Sequence, residues 1–145
     1  MKIITPKTKI EFEEYYNLRW RILRKPWNQP RGSEIDDNES VCLHRMIVDD
    51  SGKVIAVGRL HFVEDSIAQI RWMAVDEKFQ KNGYGSKLLK ELEKLAKENG
   101  AKNIILQARE IALDFYYRHG YTINEKTHLL FDSIQHYKLQ KTINK

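Results

Sequence analysis

The segment Trp72-Met73-Ala74-Val75-Asp76-Glu77-Lys78-Phe79-Gln80-Lys81-Asn82-Gly83-Tyr84-Gly85-Ser86-Lys87 reads as an apolar strand, a polar loop and the start of a helix. Gly83 and Gly85, on either side of Tyr84, let the main chain turn tightly and approach a ligand closely. The first N–H groups of the helix have no acceptor within it, and the positive end of its dipole stands behind them. Phosphate or pyrophosphate is the chemistry that such a loop can bind. The same residues also suit a glycine-containing turn before an ordinary helix. Two nucleotide patterns are excluded. A Walker A loop needs Gly-Lys followed by Ser or Thr, whereas the order here is Gly85-Ser86-Lys87, and a dinucleotide fingerprint needs a third Gly where Leu88 stands.

The elements around this segment follow from hydrophobic periodicity. From Lys9 to Lys25 the residues Phe12, Tyr15, Tyr16, Arg19, Ile22 and Leu23 recur at helical spacing, and Pro26 and Pro30 end the run. Met1 to Pro6 reads as an opening strand without the long apolar core of a secretory signal. Trp27 to Asn38 reads as a mobile loop or short helix with an acidic group, Glu34, Asp36, Asp37 and Glu39, at and just beyond its end. Cys42–Val48 and Lys53–Val63 are strand-like and flank the turn Asp49-Asp50-Ser51-Gly52; Ser66–Val75 is a third such run, and the three suggest an antiparallel meander. Leu88, Leu89, Leu92, Leu95 and Ala96 mark one face of a helix, with Glu93 and Lys97 as an i,i+4 pair and Asn99-Gly100 as its stop. Asn103–Ala108 is a short strand. Ala112, Phe115, Tyr116 and His119 begin a second stripe that Gly120 terminates, and Tyr121–Ile123 and His136–Leu139 are further strands. Strands and helices in this order make a sheet covered by helices, an α/β or α+β fold.

The chain has 145 residues, 41% apolar and 31% charged, which is ordinary for one globular domain. Cys42 is its single cysteine, so neither an internal disulfide nor a cysteine-cluster zinc site can form, and a reducing, cytoplasmic setting is expected. The charge of +5 favours anionic ligands in general but is spread along the chain, which argues against a nucleic-acid-binding face. No apolar run is long enough to span a bilayer, so no membrane partner is expected. His44, His119 and His136 have no zinc-ligand spacing, and no metal is invoked.

Two motifs together resemble the GNAT superfamily of acetyl-CoA-dependent N-acetyltransferases. The first, Gln80-Lys81-Asn82-Gly83-Tyr84-Gly85 after Met73-Ala74-Val75, is similar to that family's acyl-CoA motif: Gln or Arg, two residues, Gly, one residue, Gly or Ala. The second is Ala112-Leu113-Asp114-Phe115-Tyr116-Tyr117-Arg118-His119-Gly120-Tyr121. It matches Ala, two residues, Phe-Tyr, three residues, then Gly followed by Phe or Tyr. The resemblance implies a GNAT-like mixed, mostly antiparallel central sheet flanked by helices, with a splay between the fourth and fifth strands, in a single domain over residues 1–145.

It also implies roles. Acetyl-CoA would be the co-substrate. Main-chain groups of Met73, Ala74 and Val75 would meet pantetheine and the thioester oxygen, and the amides of Gln80, Lys81, Asn82, Gly83, Tyr84, Gly85 and Ser86 would hold the pyrophosphate. Tyr116 aligns with the family's tyrosine facing the sulfur, as general acid and cofactor contact; Tyr117 is the weaker candidate. A phenol of pKa near 10 can protonate a thiolate of pKa about 8.5 while staying neutral itself. Several members use a Glu as base where Gln69 stands here, so His61 and Glu64 are the substitute bases. Arg109 stands where the family often has an Asn and would lie near the anionic donor. Trp27, Trp72, Glu34, Asp36 and Asp37 are candidates to line a cationic acceptor's site. The expected reaction is acetyl transfer to a small-molecule or peptide or protein amine by direct attack, with Cys42 not acting as a nucleophile; a homodimer remains open. The rival reading is a non-catalytic acyl-CoA-binding or sensor domain, for which Gln69 in the base position speaks.

Overall fold

The structure, a computed structural model, describes residues 1–131 and 134–143. Its elements are β1 (Lys2–Ile4), α1 (Lys9–Leu23), β2 (Leu43–Val48), β3 (Val54–Glu64), β4 (Ile67–Val75), α2 (Tyr84–Glu98), β5 (Asn103–Arg109), α3 (Leu113–Arg118), β6 (Thr122–Leu130) and β7 (Ile134–Thr142). Single 3-10 turns occupy Lys25–Trp27, Glu39–Val41 and Glu110–Ala112. The seven strands lie in the order β1-β2-β3-β4-β5-β7-β6. Of the strand pairs with a defined register, β4–β5 is parallel and β1–β2, β2–β3, β5–β7 and β6–β7 are antiparallel. The parallel pair is what a strand–helix–strand crossover through α2 requires. Among the described residues no helix is long and apolar enough to cross a membrane.

The chain divides into two compact units, Met1–His61 with Trp72–Leu92, and Phe62–Arg71 with Glu93–Lys145. In the first unit α1 starts at a capping box: Thr8 Oγ1 accepts from the Glu11 amide, and Glu11 accepts from the Thr8 amide. The helix stops at Leu23, before the expected Lys25, because the residue before Pro26 cannot continue it comfortably. Its apolar face packs Tyr15 and Leu18 on Met46, Val48, Val57 and Ala74. Gly58 is required to be small. A Cβ there would stand 2.8 Å from Leu92 Cδ1 and 3.3 Å from Leu88 Cδ2, so the first turns of α2 sit directly on the β3 backbone.

Several local expectations shift. Cys42 is not in a strand; it closes the 3-10 turn before β2, and its thiol donates to the Asn38 carbonyl at 2.9 Å. The Asp49–Gly52 turn is held as its composition suggests, with Asp49 Oδ1 accepting from the Ser51 and Lys53 amides at 2.9 Å each.

In the second unit the β4–β5 ladder pairs Ile67↔Asn103 through Ile70↔Leu106. β6 and β7 are far longer than Tyr121–Ile123 and His136–Leu139, because cross-strand pairing carries them through polar residues that show no alternation. Ala101 N–H bonds to Ala96 C=O past Gly100, the 6→1 bond of a Schellman stop. Glu93 does not serve Lys97 as its partner. Its carboxylate accepts from the Tyr121 hydroxyl at 2.8 Å and pairs with Lys141 at 3.1 Å, residues that strand pairing brings to it.

Candidate active site

In the first unit, the end of β4 and the start of α2 are joined by a loop with its own scaffold. Asp76, buried at 2% exposure, takes the Arg21 guanidinium at 2.6 Å on one carboxylate oxygen. Its other oxygen accepts from the Lys78 amide at 2.9 Å. The Asp76 amide donates to Ile55 C=O at 2.8 Å. Gln80 folds back to donate from Nε2 to Val75 C=O at 3.0 Å, and Asn82 Nδ2 donates to Gln80 C=O at 3.1 Å. Lys81 and Gly83 both have positive φ, 65° and 85°. These turns bring the chain round to α2, whose i→i−4 bonding includes Lys87 N–H to Gly83 C=O at 3.1 Å. By that geometry the amides of Tyr84, Gly85 and Ser86 point out beyond the helix start.

The loop fits a diphosphate. Lys81, Asn82 and Gly83 are exposed, and a Cβ built on Gly83 would meet nothing within 4 Å, so the approach to the helix amides is open. Asp76 and Arg21 are the residues that sequence reasoning missed here. An aspartate at a strand end just before a turn was a usable signal for the Asp76–Lys78 bond; its ion pair with a side chain 55 residues away was not.

Two acids of this loop in the first unit, Asp36 and Glu39, are engaged by arginines. Arg59, fully buried on β3, donates from one nitrogen to Asp36 at 2.8 Å and to Glu39 at 2.9 Å, and Arg19, also fully buried, reaches Glu39 at 2.8 Å. Burial opposes ionisation of Asp36, but bonds from Arg59 and from the Asn38 amide, with Trp72, hold its carboxyl well below the usual range. Glu34 is buried and accepts from the Gly32 amide at 2.8 Å. Asp37 is exposed and Trp27 half-buried. The loop is therefore fastened to the sheet by charge, an arrangement that the mobile polar reading of Trp27–Asn38 did not anticipate. Cys42 lies beside this network, half-buried, and burial pushes its thiol pKa up, the wrong direction for a nucleophile.

Trp72 has φ 60° inside β4. Left-handed backbone costs roughly 1–2 kcal/mol for an L-residue. It precedes Met73 and Val75, which are half-buried, and Ala74, which is buried. His61, half-buried on β3, also belongs to this unit.

The second unit carries Glu64, Gln69, Arg109 and Tyr116. Glu64 is exposed at the end of β3, and Gln69 sits opposite Ile105 in the parallel ladder. Tyr116 is the buried residue of α3, edge-on to Phe115 and Tyr121 with centroids 5.0 and 5.6 Å away, while Tyr117 is exposed. Burial pushes the Tyr116 phenol up to about 12, and the charge of Arg109 pulls against it. Arg109 itself is drawn down by burial. Among the described residues no group of three or more His, Cys, Asp and Glu is placed to hold a metal.

The acetyltransferase (GNAT) family pattern matches residues 12–121, through both motifs and strands β2 to β5. The chain belongs to the GNAT acetyltransferase family. It is an acetyltransferase, and acetyl-CoA is the donor that GNAT enzymes use. The uncharacterised N-acetyltransferase YjcF of Bacillus subtilis is 29% identical over 141 residues, covering 97% of this chain and 99% of that protein. Among solved structures, an acyl-CoA N-acyltransferase from Pseudomonas aeruginosa superposes with a TM-score of 0.83 at 20% identity, over 97% of each chain. An aminoglycoside 6'-N-acetyltransferase complexed with coenzyme A gives 0.82 at 16% identity, over 100% of this chain and 99% of that one. These likenesses establish the mixed GNAT sheet for this chain.

The buried phenols of this GNAT chain have a consequence at high pH. Burial raises Tyr15, Tyr116 and Tyr121 above the ordinary value of 10, with Glu93 adding to the effect on Tyr121. Unfolded tyrosines lose their protons near pH 10 while the folded ones keep them, so the native state binds more protons and stability falls as pH rises. Below pH 10 the contribution is fully present. Above it, stability should drop by about 1.4 kcal/mol per pH unit for each such tyrosine, up to about 4 for the three. Urea titrations at pH 8, 10 and 11 measure it; a flat profile would show that these phenols are not held neutral.

Proposed function

We propose that this GNAT chain is an N-acetyltransferase that moves the acetyl group of acetyl-CoA to a primary amine by direct attack. The observation that carries the reading is the open, positively polarised start of α2 behind Gly83, preceded by a loop that Asp76 and Gln80 hold in shape. The amides of Gln80 to Ser86 hold the diphosphate, with Lys81 adding charge. Main-chain groups of Met73, Ala74 and Val75 meet the pantetheine arm and the thioester oxygen.

The donor supplies an activated thioester carbonyl. The C–N bond forms as the C–S bond breaks; the departing sulfur takes its proton from Tyr116, and His61 or Glu64 takes the proton of the attacking amine, directly or through water. Tyr116 is neutral at every physiological pH, with a pKa of about 12, and Arg109 moderates how weak an acid it is. Cys42, bonded to Asn38 with its thiol pKa raised, forms no acyl intermediate in this scheme.

Thiol release from acetyl-CoA across a panel of small amines, aminoglycosides, amino acids and lysine peptides tests this reading. Release with at least one amine is expected, with no burst when acetyl-CoA is mixed with the protein alone. Tight binding of acetyl-CoA with no release for any amine would favour the sensor reading, for which the glutamine at position 69 speaks. The loop has its own test. At φ 85° with open space around it, Gly83→Ala meets strain rather than a clash. If the free loop escapes the strain by relaxing out of the binding conformation, the roughly 1 kcal/mol is met only on binding, which should weaken CoA binding about fivefold by calorimetry and leave the melting temperature nearly unchanged. An unaltered Kd would move the diphosphate away from this loop.

A further inference from the structure

Four described non-glycine residues have positive φ, and three of them, Asn28, Lys81 and Phe131, lie in turns or at a helix end. Trp72 is the exception, because it takes that conformation inside a strand. Glycine would adopt it freely, whereas a bulky aromatic adopts it only when its surroundings over-determine it. Those surroundings are visible. The guanidinium of Arg24 lies 4.4 Å from the centre of the indole and that of Arg19 lies 5.0 Å from it. Neither arginine is loose: Arg24 Nε donates to Ser33 C=O at 3.2 Å, and Arg19 Nη1 donates to Glu34 C=O at 2.9 Å. The indole also interacts with Asp36, which Arg59 anchors at 2.8 Å. All of these groups belong to the first unit.

A left-handed residue in a strand makes a local bulge and re-aims the groups that follow it. The groups that follow Trp72 are Met73, Ala74 and Val75. We propose that Trp72 is a positioning residue: the segment from Arg24 to Asp36, with Arg19, clamps its ring, and the clamped ring holds the β4 main chain so that an N–H of Met73–Val75 is directed at the thioester carbonyl. The inference rests on the function proposed above and adds to it a mechanical link between the α1–β2 loop and the acyl-binding backbone. Cation–aromatic stacking is suited to this task because it fixes a ring face without using any main-chain group of the strand.

The test is the carbonyl stretch of acetyl-CoA carrying 13C at the acetyl carbonyl, measured free and bound, together with the calorimetric Kd of CoA. In the unaltered protein the bound band is expected at lower frequency than the free band, because an N–H bond weakens the C=O. Arg24→Leu should remove at least half of that shift while the Kd of CoA stays within twofold; Trp72→Phe, which keeps a ring for stacking, should retain most of it. Trp72→Ala should lose the shift, and if it does not fold, Arg24→Leu decides. A shift of equal size in Arg24→Leu, or no shift on binding to the unaltered protein, overturns the inference and leaves the proposed function standing. No binding of CoA or acetyl-CoA to the unaltered protein overturns both.

Discussion

Arg59→Met should lower the stability to urea by about 3 kcal/mol, because it leaves the half-buried Asp36 without its cation and Glu39 with Arg19 alone. Arg59 has no exposed surface, and one of its nitrogens serves Asp36 at 2.8 Å and Glu39 at 2.9 Å. Burial opposes its charge, yet those carboxylates more than offset the penalty and its pKa is raised. The pairing is nevertheless incomplete. Nε and Nη2 of Arg59 and Oε1 of Glu39 are buried and have no hydrogen-bond partner among the described residues. A network satisfied on one side contributes less than its charges suggest. The combined variant Arg59→Met, Asp36→Asn should therefore recover much of the loss, since Asp36 is then neutral and Glu39 keeps the Arg19 guanidinium at 2.8 Å. Urea denaturation of the single and combined variants measures both effects. A loss below about 1 kcal/mol in the single variant would mean that water reaches the carboxylates and replaces the arginine.

Tyr116→Phe should reduce turnover by about 10²-fold, the lower end of what a positioned acid contributes, while the Kd of CoA changes less than twofold. The ring packing on Phe115 and Tyr121 is kept, so the fold should be indifferent to the change. A phenol near 12 protonates a thiolate of ordinary pKa uphill, by about 1.4 kcal/mol per unit of mismatch. Arg109 is the charge that opposes the rise, so Arg109→Met should slow turnover in the same direction and by a smaller factor. Steady-state kinetics with the best acceptor from the panel gives both numbers. Full turnover in the phenylalanine variant would transfer the acid role to solvent or to another side chain.

Glu11 three residues after Thr8, Gly100 after the leucine stripe and Gly120 after the Phe-Tyr-Tyr run place helix ends by rules that act over four or five residues, and those ends stand where these signals put them. The same holds for the strand–loop–helix over 72–87, whose glycines and helix start are local properties of the chain. The fastening of that loop is different. Arg21 meets Asp76 across 55 positions, Arg59 meets Asp36 across 23, and Lys141 meets Glu93 across 48. Composition shows that these charges exist; only strand order and register decide which of them meet.

Three readings changed for that reason. Asp36 and Glu39 of the α1–β2 loop became counter-ions of buried arginines, Cys42 moved out of β2, and β6 and β7 lengthened through polar residues. Trp72 is the extreme case, because nothing in Arg71-Trp72-Met73 signals a left-handed turn. Its conformation is imposed by side chains that reach it from α1 and from the segment after it, and a strained backbone of this kind exists only where tertiary packing supplies the restraint. The sequence by itself determined where the chain can turn and where α2 starts behind its glycine loop; the tertiary structure decided which charges neutralise one another and that Trp72 takes a left-handed conformation inside β4.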